Sequence, residues 1–295
     1  MMSAQDMGQA TETAQNANEA LVAKDYATAL AGFKEALTLA QACGEEGEEL
    51  VGTCKGVIPS IVLSIAKNTI KDGDYDGGLA QLAEAVKVAT EYSSDDVLEQ
   101  AETLIPQVKK QKASSLFSAK DFAGAAEAFK EVLAADPEDG ASALRLAMSL
   151  SNTGDKEGAI AAFEQAAANG QEANANKQLA TLYLKDAQAL LKANKFAETI
   201  EACEKSNSYV ESANAYKLAA SAATKAKNNT KAISFYEKYL ELSPDAKDAA
   251  GIAFTVAALY QQAGNKAKAI EFYNKVAGDA QYGAQAKQQL DALKK

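Results

Sequence analysis

A repeated segment constrains the fold of this chain more than any other feature. Lys231–Pro244 reads KAISFYEKYLELSP, and its opening returns 37 residues later as KAIEFYNK over Lys268–Lys275. A segment that recurs at such an interval indicates one supersecondary unit copied along the chain. The sequence therefore predicts an array of similar units.

The unit combines a small residue, two aromatic residues and a proline at helical spacing. In the copy that starts at Ala232, Tyr236 and Tyr239 follow after four and seven positions and Pro244 follows after twelve. The first three residues share one stripe of a helix, and the proline ends that helix. The small residue allows a neighbouring backbone to approach, while the aromatic ring fills the space beside it. This pattern predicts the second helix of a packed helical hairpin.

Seven copies of this frame are present, separated by 49, 47, 34, 40, 33 and 37 residues. Their small positions are Ala29, Gly78, Ala125, Ala159, Thr199, Ala232 and Ala269. The fifth copy departs most, because Thr199, Cys203 and Ser206 replace the usual small and aromatic set. We expect the packing to be weakest there.

This order of residues resembles the second helix of the tetratricopeptide repeat, a helical hairpin of about 34 residues. Pro137 and Pro244 stand where that family has its proline, whereas no tryptophan is present and Tyr260 fills the first-helix tyrosine position only in the last copy. The resemblance covers about residues 9–278. It implies an all-α fold, a right-handed superhelical solenoid of about seven helix-turn-helix repeats with a C-terminal capping helix.

The copies predict three regions: a flexible tail over 1–8, the repeats over 9–280 and a polar capping helix over 281–295.

The two longest intervals precede the third copy, and Pro59 and Pro106 each lie 19 residues before a small position. We therefore expect long first helices around 45–72 and 92–118, each kinked at its proline.

Charge and hydropathy limit the partners. The net charge is −10, and residues 1–100 hold 17 acidic but only 6 basic side chains. That acidic surface either keeps the protein solvated or steers a basic partner. A single arginine, Arg145, and the lack of a basic face disfavour nucleic-acid binding. No apolar run approaches the ~20 residues of a membrane span, so we expect none.

The compartment is open to two interpretations. Ser3–Asp6 resembles the region around a secretory cleavage site, followed by a polar mature segment. This similarity favours an exported bacterial protein, periplasmic or secreted. An ordinary cytoplasmic start is the alternative.

Catalytic chemistry is poorly supported by the sequence. Histidine is absent, and no glycine-rich phosphate loop is found, so we expect a protein that is not an enzyme and holds no cofactor.

Asp72, Asp74 and Asp76 have the spacing of the first three ligands of a calcium-binding loop. Ala83, however, stands where that loop requires a bidentate glutamate, and turn chemistry explains the aspartates equally well. They remain a weak metal candidate.

Cysteine placement leaves one structural question open. Cys43 and Cys54 lie eleven residues apart across a glycine-rich bend. In an oxidising compartment they could form a disulfide, and in a reducing one they would be small buried residues.

The resemblance places partner binding on the inner face, which the first helices line in this family. Counting back from each small position, the face comprises Leu144, Met148, Asn152, Leu184, Gln188, Leu191, Lys192, Asn214, Lys217, Ser221, Phe254 and Gln261. The lysine and asparagine set of the family's carboxylate-binding members is not reproduced.

Three functions remain open on this basis. The first is a non-catalytic scaffold that binds a protein or peptide partner on the concave face. The alternatives are a structural subunit of the cell envelope that self-assembles through its long helices, and a calcium-modulated binding protein.

Overall fold

The structure, a computed structural model, describes residues 4–294 and consists of helices and turns, with no strand in that range. The predicted all-α fold is confirmed. The chain forms two compact units, Met1–Ala162 (unit 1) and Phe163–Lys295 (unit 2).

Fifteen α-helices are present in the described range. In chain order they are α1 Ala4–Val22, α2 Tyr26–Ala42, α3 Glu48–Lys71, α4 Tyr75–Glu91, α5 Asp95–Ser118, α6 Phe122–Ala135, α7 Gly140–Thr153, α8 Lys156–Ala166, α9 Glu172–Lys192, α10 Phe196–Tyr209, α11 Ala213–Lys225, α12 Asn229–Leu242, α13 Ala249–Gln262, α14 Lys266–Val276 and α15 Gly283–Leu293. A 3₁₀ turn, Gly44–Gly47, precedes α3. Between α8 and α9 the helix is broken at Asn169 and Gly170, whose dihedral angles are not helical.

Seven hairpin turns with one backbone geometry join the helices in pairs. In each turn a residue with φ between 58° and 90° ends the first helix; these residues are Lys24, Gly73, Lys120, Gly154, Asn194, Lys227 and Gly264. A left-handed residue at a helix end reverses the chain, and glycine occupies it without steric cost.

The residue after the left-handed position caps the second helix. In six of the seven turns it is Asp or Asn, and its side-chain oxygen accepts a hydrogen bond of 2.9–3.2 Å from the backbone N–H three residues later. The six are Asp25, Asp74, Asp121, Asp155, Asn228 and Asn265. Each such cap stabilises its helix by about 1 kcal/mol. The fifth turn has Lys195, which offers no acceptor.

The small positions of the repeat lie four residues after the caps, and all seven are buried. The six that have a side chain are 0% exposed. At the seventh, Gly78, an added Cβ would lie 2.3 Å from Cγ1 of Ile70 on the first helix of the hairpin. At Gly78 the paired helices therefore approach too closely for a side chain to be added without a shift of Ile70.

Each unit has its own apolar core. In unit 1 it gathers residues of α1 to α5, including Phe33, Ile58 and Leu82. In unit 2 the largest cluster includes Val256 and Tyr273 and extends to Ala286 and Leu290 of α15. The final helix thus covers the end of the last hairpin.

The fifth hairpin buries polar side chains without leaving them unbonded. Thr199, Cys203 and Ser206 are at most 1% exposed. The hydroxyl of Ser206 donates a 2.8 Å hydrogen bond to the carbonyl of Ala180 on α9, and that of Thr199 donates at 2.8 Å to the carbonyl of Lys195. Burial, together with Glu204, raises the pKa of Cys203 to about 12. Hydrogen bonds replace part of the apolar packing of the other hairpins.

The two long first helices have matching designs. Both α3 and α5 contain 24 residues, and in each the proline, Pro59 or Pro106, is the twelfth. Proline has no N–H to donate, so each helix lacks one hydrogen bond in its middle. The added eleven residues ahead of each proline extend the helix instead of forming a separate loop.

Two expectations about the N-terminal part require correction. Residues 4–8, expected in a flexible tail, belong to α1, where Thr11 Oγ1 donates to the carbonyl of Met7 at 2.9 Å and Ala10 is fully buried. Five of the 19 residues of α1 are alanine, the residue of highest helix propensity, and Ala10, Ala14 and Ala17 are buried. Residues 1–3, the rest of that tail, and Lys295 lie outside the described residues.

The segment Gly44–Lys71 is long and apolar enough to cross a membrane by length and composition alone, so the expectation that no run reaches this size does not hold. Its apolar residues Cys54, Ile58, Ile61 and Val62 are instead buried in the core of unit 1. A core helix meets the same two criteria.

Candidate functional site

A groove in unit 2 brings together five of the residues predicted to contact a partner. It has a volume of about 320 Å³ and is lined by Leu184 and Gln188 of α9 and by Asn214, Lys217, Leu218 and Ser221 of α11. These are the first helices of the fifth and sixth hairpins. Leu218, which was not predicted, completes the groove. Its place four residues after Asn214 and three before Ser221 on the same helix was the available signal.

The groove joins an apolar surface to uncharged polar groups. Leu184 and Leu218 are half-buried and pack against the core formed by α9, α10 and α11. Gln188 and Asn214 are exposed at its sides. A side-chain amide both donates and accepts hydrogen bonds, so these two residues can bond the backbone of a segment that lies between them.

The single cation of the groove is held by its neighbours. Lys217 Nζ forms an ion pair with Asp248, the residue that precedes α13, and lies 5.5 Å from the ring centre of Tyr239. The hydroxyl of Tyr239 donates to the same carboxylate. Hydrogen bonds from Lys217 and Tyr239 lower the pKa of Asp248, and this carboxylate, together with burial, raises the pKa of Tyr239 to about 12. The positive charge is thus balanced locally, and the groove is close to neutral.

Other predicted face residues lie away from this groove. Leu191 packs against the core of unit 2, while Lys192 is exposed at the end of α9. The ring of Phe254 lies 5.3 Å from that of Tyr273 and 5.7 Å from that of Tyr282.

Gln261 is also engaged internally. It accepts from the Tyr273 hydroxyl at 2.9 Å and donates to Gln289 of α15 at 3.3 Å. Phe254 and Gln261 therefore fasten α13 to its neighbours, a role that their first-helix position did not reveal.

In unit 1 the predicted residues follow one stripe of α7. Leu144 and Met148 are half-buried, and exposed Asn152 donates to the carbonyl of Met148 at 2.8 Å. None of the residues that line the groove of unit 2 belongs to α7.

Models of one family account for this arrangement. Three models described as tetratricopeptide repeat match residues 116–185, 184–247 and 250–278, which together are more than half of the chain. The chain belongs to the tetratricopeptide repeat family. The first two hairpins of this tetratricopeptide repeat protein lie outside the matched residues, as does most of the long helix α5. The sequence-based recognition of the family is confirmed.

Solved structures of similar fold include other proteins with this repeat. MamA is 21% identical, over 59% of this chain and 96% of its own, with a TM-score of 0.33. The tetratricopeptide repeat domain of P58(IPK) is 15% identical over 97% of each chain, with a TM-score of 0.28. The TPR2AB domain of yeast Sti1, in a complex with pHSP90, is 15% identical over 97% of each chain, with a TM-score of 0.35. No curated protein sequence matched this tetratricopeptide repeat protein.

Two of the three aspartates of the weak calcium candidate, Asp74 and Asp76, have partners within the protein. Asp74 caps α4 through the N–H of Gly77, and Asp76 pairs with Lys112 at 2.5 Å. Within residues 4–294, no group of three or more potential ligand side chains is placed to hold a metal ion. Asp74 therefore stabilises the second hairpin turn, as expected if turn chemistry accounts for the aspartates.

The structure does not join Cys43 to Cys54. Both are free thiols: Cys43 donates to the carbonyl of Leu39 at 3.3 Å, and Cys54 is 0% exposed in the core. Burial raises the pKa of Cys54. Cys54 lies on the inward side of α3 and packs in the core, whereas Cys43 follows α2 and bonds to Leu39. The two side chains therefore contact different parts of unit 1.

Two larger cavities that combine residues of several helices were not anticipated from the sequence. One, of about 740 Å³ in unit 2, has an apolar floor that includes Leu240 and Phe272 and a rim of charged residues. The other, of about 590 Å³ in unit 1, contains Arg145, whose guanidinium donates to Ser114 at 3.0 Å. Neither could be found by counting back along first helices, because both also draw residues from second helices or from interhelical loops.

Proposed function

We propose that this protein is a non-catalytic interaction scaffold that binds an extended, largely uncharged segment of a partner protein in the groove formed by α9 and α11. The family is typically non-catalytic and its members serve protein interactions. The observation that carries the proposal is the convergence of Leu184, Gln188, Asn214, Lys217 and Ser221 on one groove.

The chemistry of the groove defines the segment that it would accept. Two leucine side chains provide apolar contact, and two amide side chains offer donors and acceptors that match a peptide backbone. The ion pair between Lys217 and Asp248 leaves no net charge to attract a charged side chain. A volume of about 320 Å³ lies at the lower end of the range for ligand sites, which suits a few side chains of a longer contact.

The absence of a base argues for binding without catalysis. The chain contains no histidine. Lys217, the titratable residue that lines the groove, and Tyr239, whose ring lies beside it, are both held by Asp248. A phenol whose pKa is about 12 is not poised to exchange protons near neutral pH.

Selection of peptides tests the proposal. A random 12-residue peptide library displayed on phage is panned against the full-length protein, and an enriched peptide is synthesised with a fluorophore. Its affinity is then measured by fluorescence polarisation. The variant Gln188→Glu/Asn214→Glu, which places two carboxylates at the groove, should weaken binding at least tenfold, because an uncharged segment cannot compensate them.

The control variant carries the same two added negative charges, but outside the groove. Ala197→Glu/Thr230→Glu places its glutamates on exposed positions in the first turns of α10 and α12, where negative charge suits the helix dipole. It should bind like the wild type. Equal affinity of both variants, or no enriched peptide, contradicts the proposal.

A further inference from the structure

A row of unpaired lysines follows the hairpin turns of unit 2. Lys192 and Lys225 lie in the last turns of α9 and α11, Lys227 is the left-handed residue of the sixth turn, and Lys266 begins α14. All four are exposed. Other lysines near these turns have carboxylate partners, such as Lys195 with Glu198, but none of these four forms an ion pair with any described residue. We call Lys192, Lys225, Lys227 and Lys266 the lysine edge.

Contacts between successive hairpins make this edge continuous. Asn229 Nδ2 donates to Gln262 Oε1 at 3.3 Å, which joins the sixth turn to the seventh. Leu191 and Phe196, on either side of the fifth turn, pack against the cluster that holds Ala222 and Ala223, which precede the sixth. Three turns therefore present their charges side by side.

The composition of the edge selects among anionic partners. The large apolar side chains that unit 2 exposes, Val210 and Leu242, lie at the opposite ends of their helices, so the edge has no group to insert into a bilayer. It also lacks arginine and an exposed aromatic ring for bidentate phosphate contacts or base stacking. This composition favours carboxylates on a protein surface over a bilayer or a nucleic acid.

Unit 1 supplies such a surface. Residues 1–162 hold 26 acidic and 13 basic side chains, whereas residues 163–295 hold 14 and 17. Seven exposed carboxylates, none of them in an ion pair with a described residue, cluster where α3 and α5 begin. These residues, the acidic edge, are Glu45, Glu46, Glu48, Glu49, Glu91, Asp95 and Asp96.

The two loops that carry the acidic edge are neighbours. Lys55 Nζ of α3 lies 5.7 Å from the ring centre of Tyr92, which ends α4. Leu50 and Leu98, in the first turns of the two long helices, pack against the same core. The edge thus includes the opening turns of both long first helices, whose extra length brings carboxylates together.

We propose that copies of this chain associate head to tail, with the lysine edge of one copy against the acidic edge of the next. This interaction goes beyond binding in the groove and uses none of its residues. A contact between two different surfaces leaves one of each free at the ends, so association continues past the dimer as concentration rises. Because exposed charges carry it, salt should weaken it.

Charge exchange tests the proposal. One variant, Lys192→Glu/Lys225→Glu/Lys266→Glu, makes the lysine edge acidic. The other, Glu45→Lys/Glu46→Lys/Glu49→Lys/Glu91→Lys/Asp95→Lys, makes the acidic edge basic, because five lysines then outnumber the two remaining carboxylates. Sedimentation velocity of the wild type in 20 mM NaCl should show species larger than the dimer as concentration rises, with apparent affinity at least tenfold weaker in 500 mM NaCl. Each variant alone should remain monomeric, and an equimolar mixture should associate again because complementary edges are restored.

The outcomes separate this interaction from its alternatives. Melting followed by circular dichroism verifies that each variant is folded, since reversing charge at a helix end also changes its interaction with the helix dipole. A wild type that stays monomeric at low salt, or a mixture that does not associate, overturns the proposal. Salt-sensitive binding of the wild-type monomer to phosphatidylserine vesicles, without self-association, overturns it in favour of a lipid surface.

Discussion

Lysine at the fifth hairpin turn predicts that a single substitution will stabilise unit 2. Lys195 has φ −89° and ψ 71°, and Asn228, at the matching place in the next hairpin, has φ −92° and ψ 79°. Asn228 accepts a hydrogen bond of 3.1 Å from the N–H of Lys231. Because the backbone is already arranged for a cap, Lys195→Asn should supply the missing acceptor without moving the chain.

The expected change in the free energy of unfolding is the difference between one gain and one loss. A cap contributes about 1 kcal/mol. The substitution also removes the 3.1 Å ion pair of Lys195 with Glu198, two side chains that are 55% and 54% exposed, and such a pair contributes about 0.3 kcal/mol. Unit 2 should therefore gain roughly 0.7 kcal/mol, or about 3 °C in melting temperature. Asparagine is preferred to aspartate, which would place a second carboxylate beside Glu198.

Urea denaturation of the full chain, followed by circular dichroism, measures the change. Lys195→Ala is the matched control, because it removes the same ion pair and adds no acceptor, and it should be no more stable than the wild type. Asp121→Ala deletes an existing cap in unit 1 and should cost about 1 kcal/mol. If the asparagine and alanine variants at residue 195 unfold at the same urea concentration, the capping argument is refuted.

Three further expectations concern the core, a buried carboxylate and the thiols. Ala232→Leu places three extra carbon atoms at a position that is 0% exposed and should destabilise unit 2 by about 2 kcal/mol in urea denaturation; unchanged stability would mean that this position does not set the helix spacing. At Asp139, burial raises the pKa, but Lys110 at 2.7 Å and hydrogen bonds from Ser142 outweigh it, so the pKa lies below its usual value. The stabilisation is present above about pH 4 and is lost as pH falls through the folded-state pKa, so Asp139→Asn should reduce stability at pH 7 but not near pH 2; an equal loss at both pH values would contradict the assignment. A chromogenic disulfide reagent should titrate Cys43 in the native protein and all three thiols in urea; fewer than three would reveal a disulfide.

The repeat was predictable because its strongest signals are local. The small position and the aromatic residue four later fall on one helix stripe, and the structure buries Ala232 and Tyr236 as that spacing requires. The capping residue is just as regular in six of the seven hairpins, where it lies four residues before the small position. The recurring dipeptide of a left-handed residue and Asp or Asn was present in the sequence throughout.

The binding face was predicted less completely, for a physical reason. Helical counting identifies which side of a first helix faces inward, and this sufficed for Leu184 and Gln188. It carries no information on what the neighbouring elements add. The ring of Phe254, for example, also contacts the rings of Tyr273 and Tyr282, which come from α14 and from the segment before α15.

The central prolines of α3 and α5 divide each long helix into two hydrogen-bonded segments. The C-terminal segment lies next to the hairpin turn, and the N-terminal one lies ahead of it. Native-state amide exchange should consequently separate the two, with residues before Pro59 and Pro106 opening without loss of the hairpin behind them. The turns at Gly73 and Lys120 would keep their conformation during such opening, because they lie on the C-terminal side of the prolines.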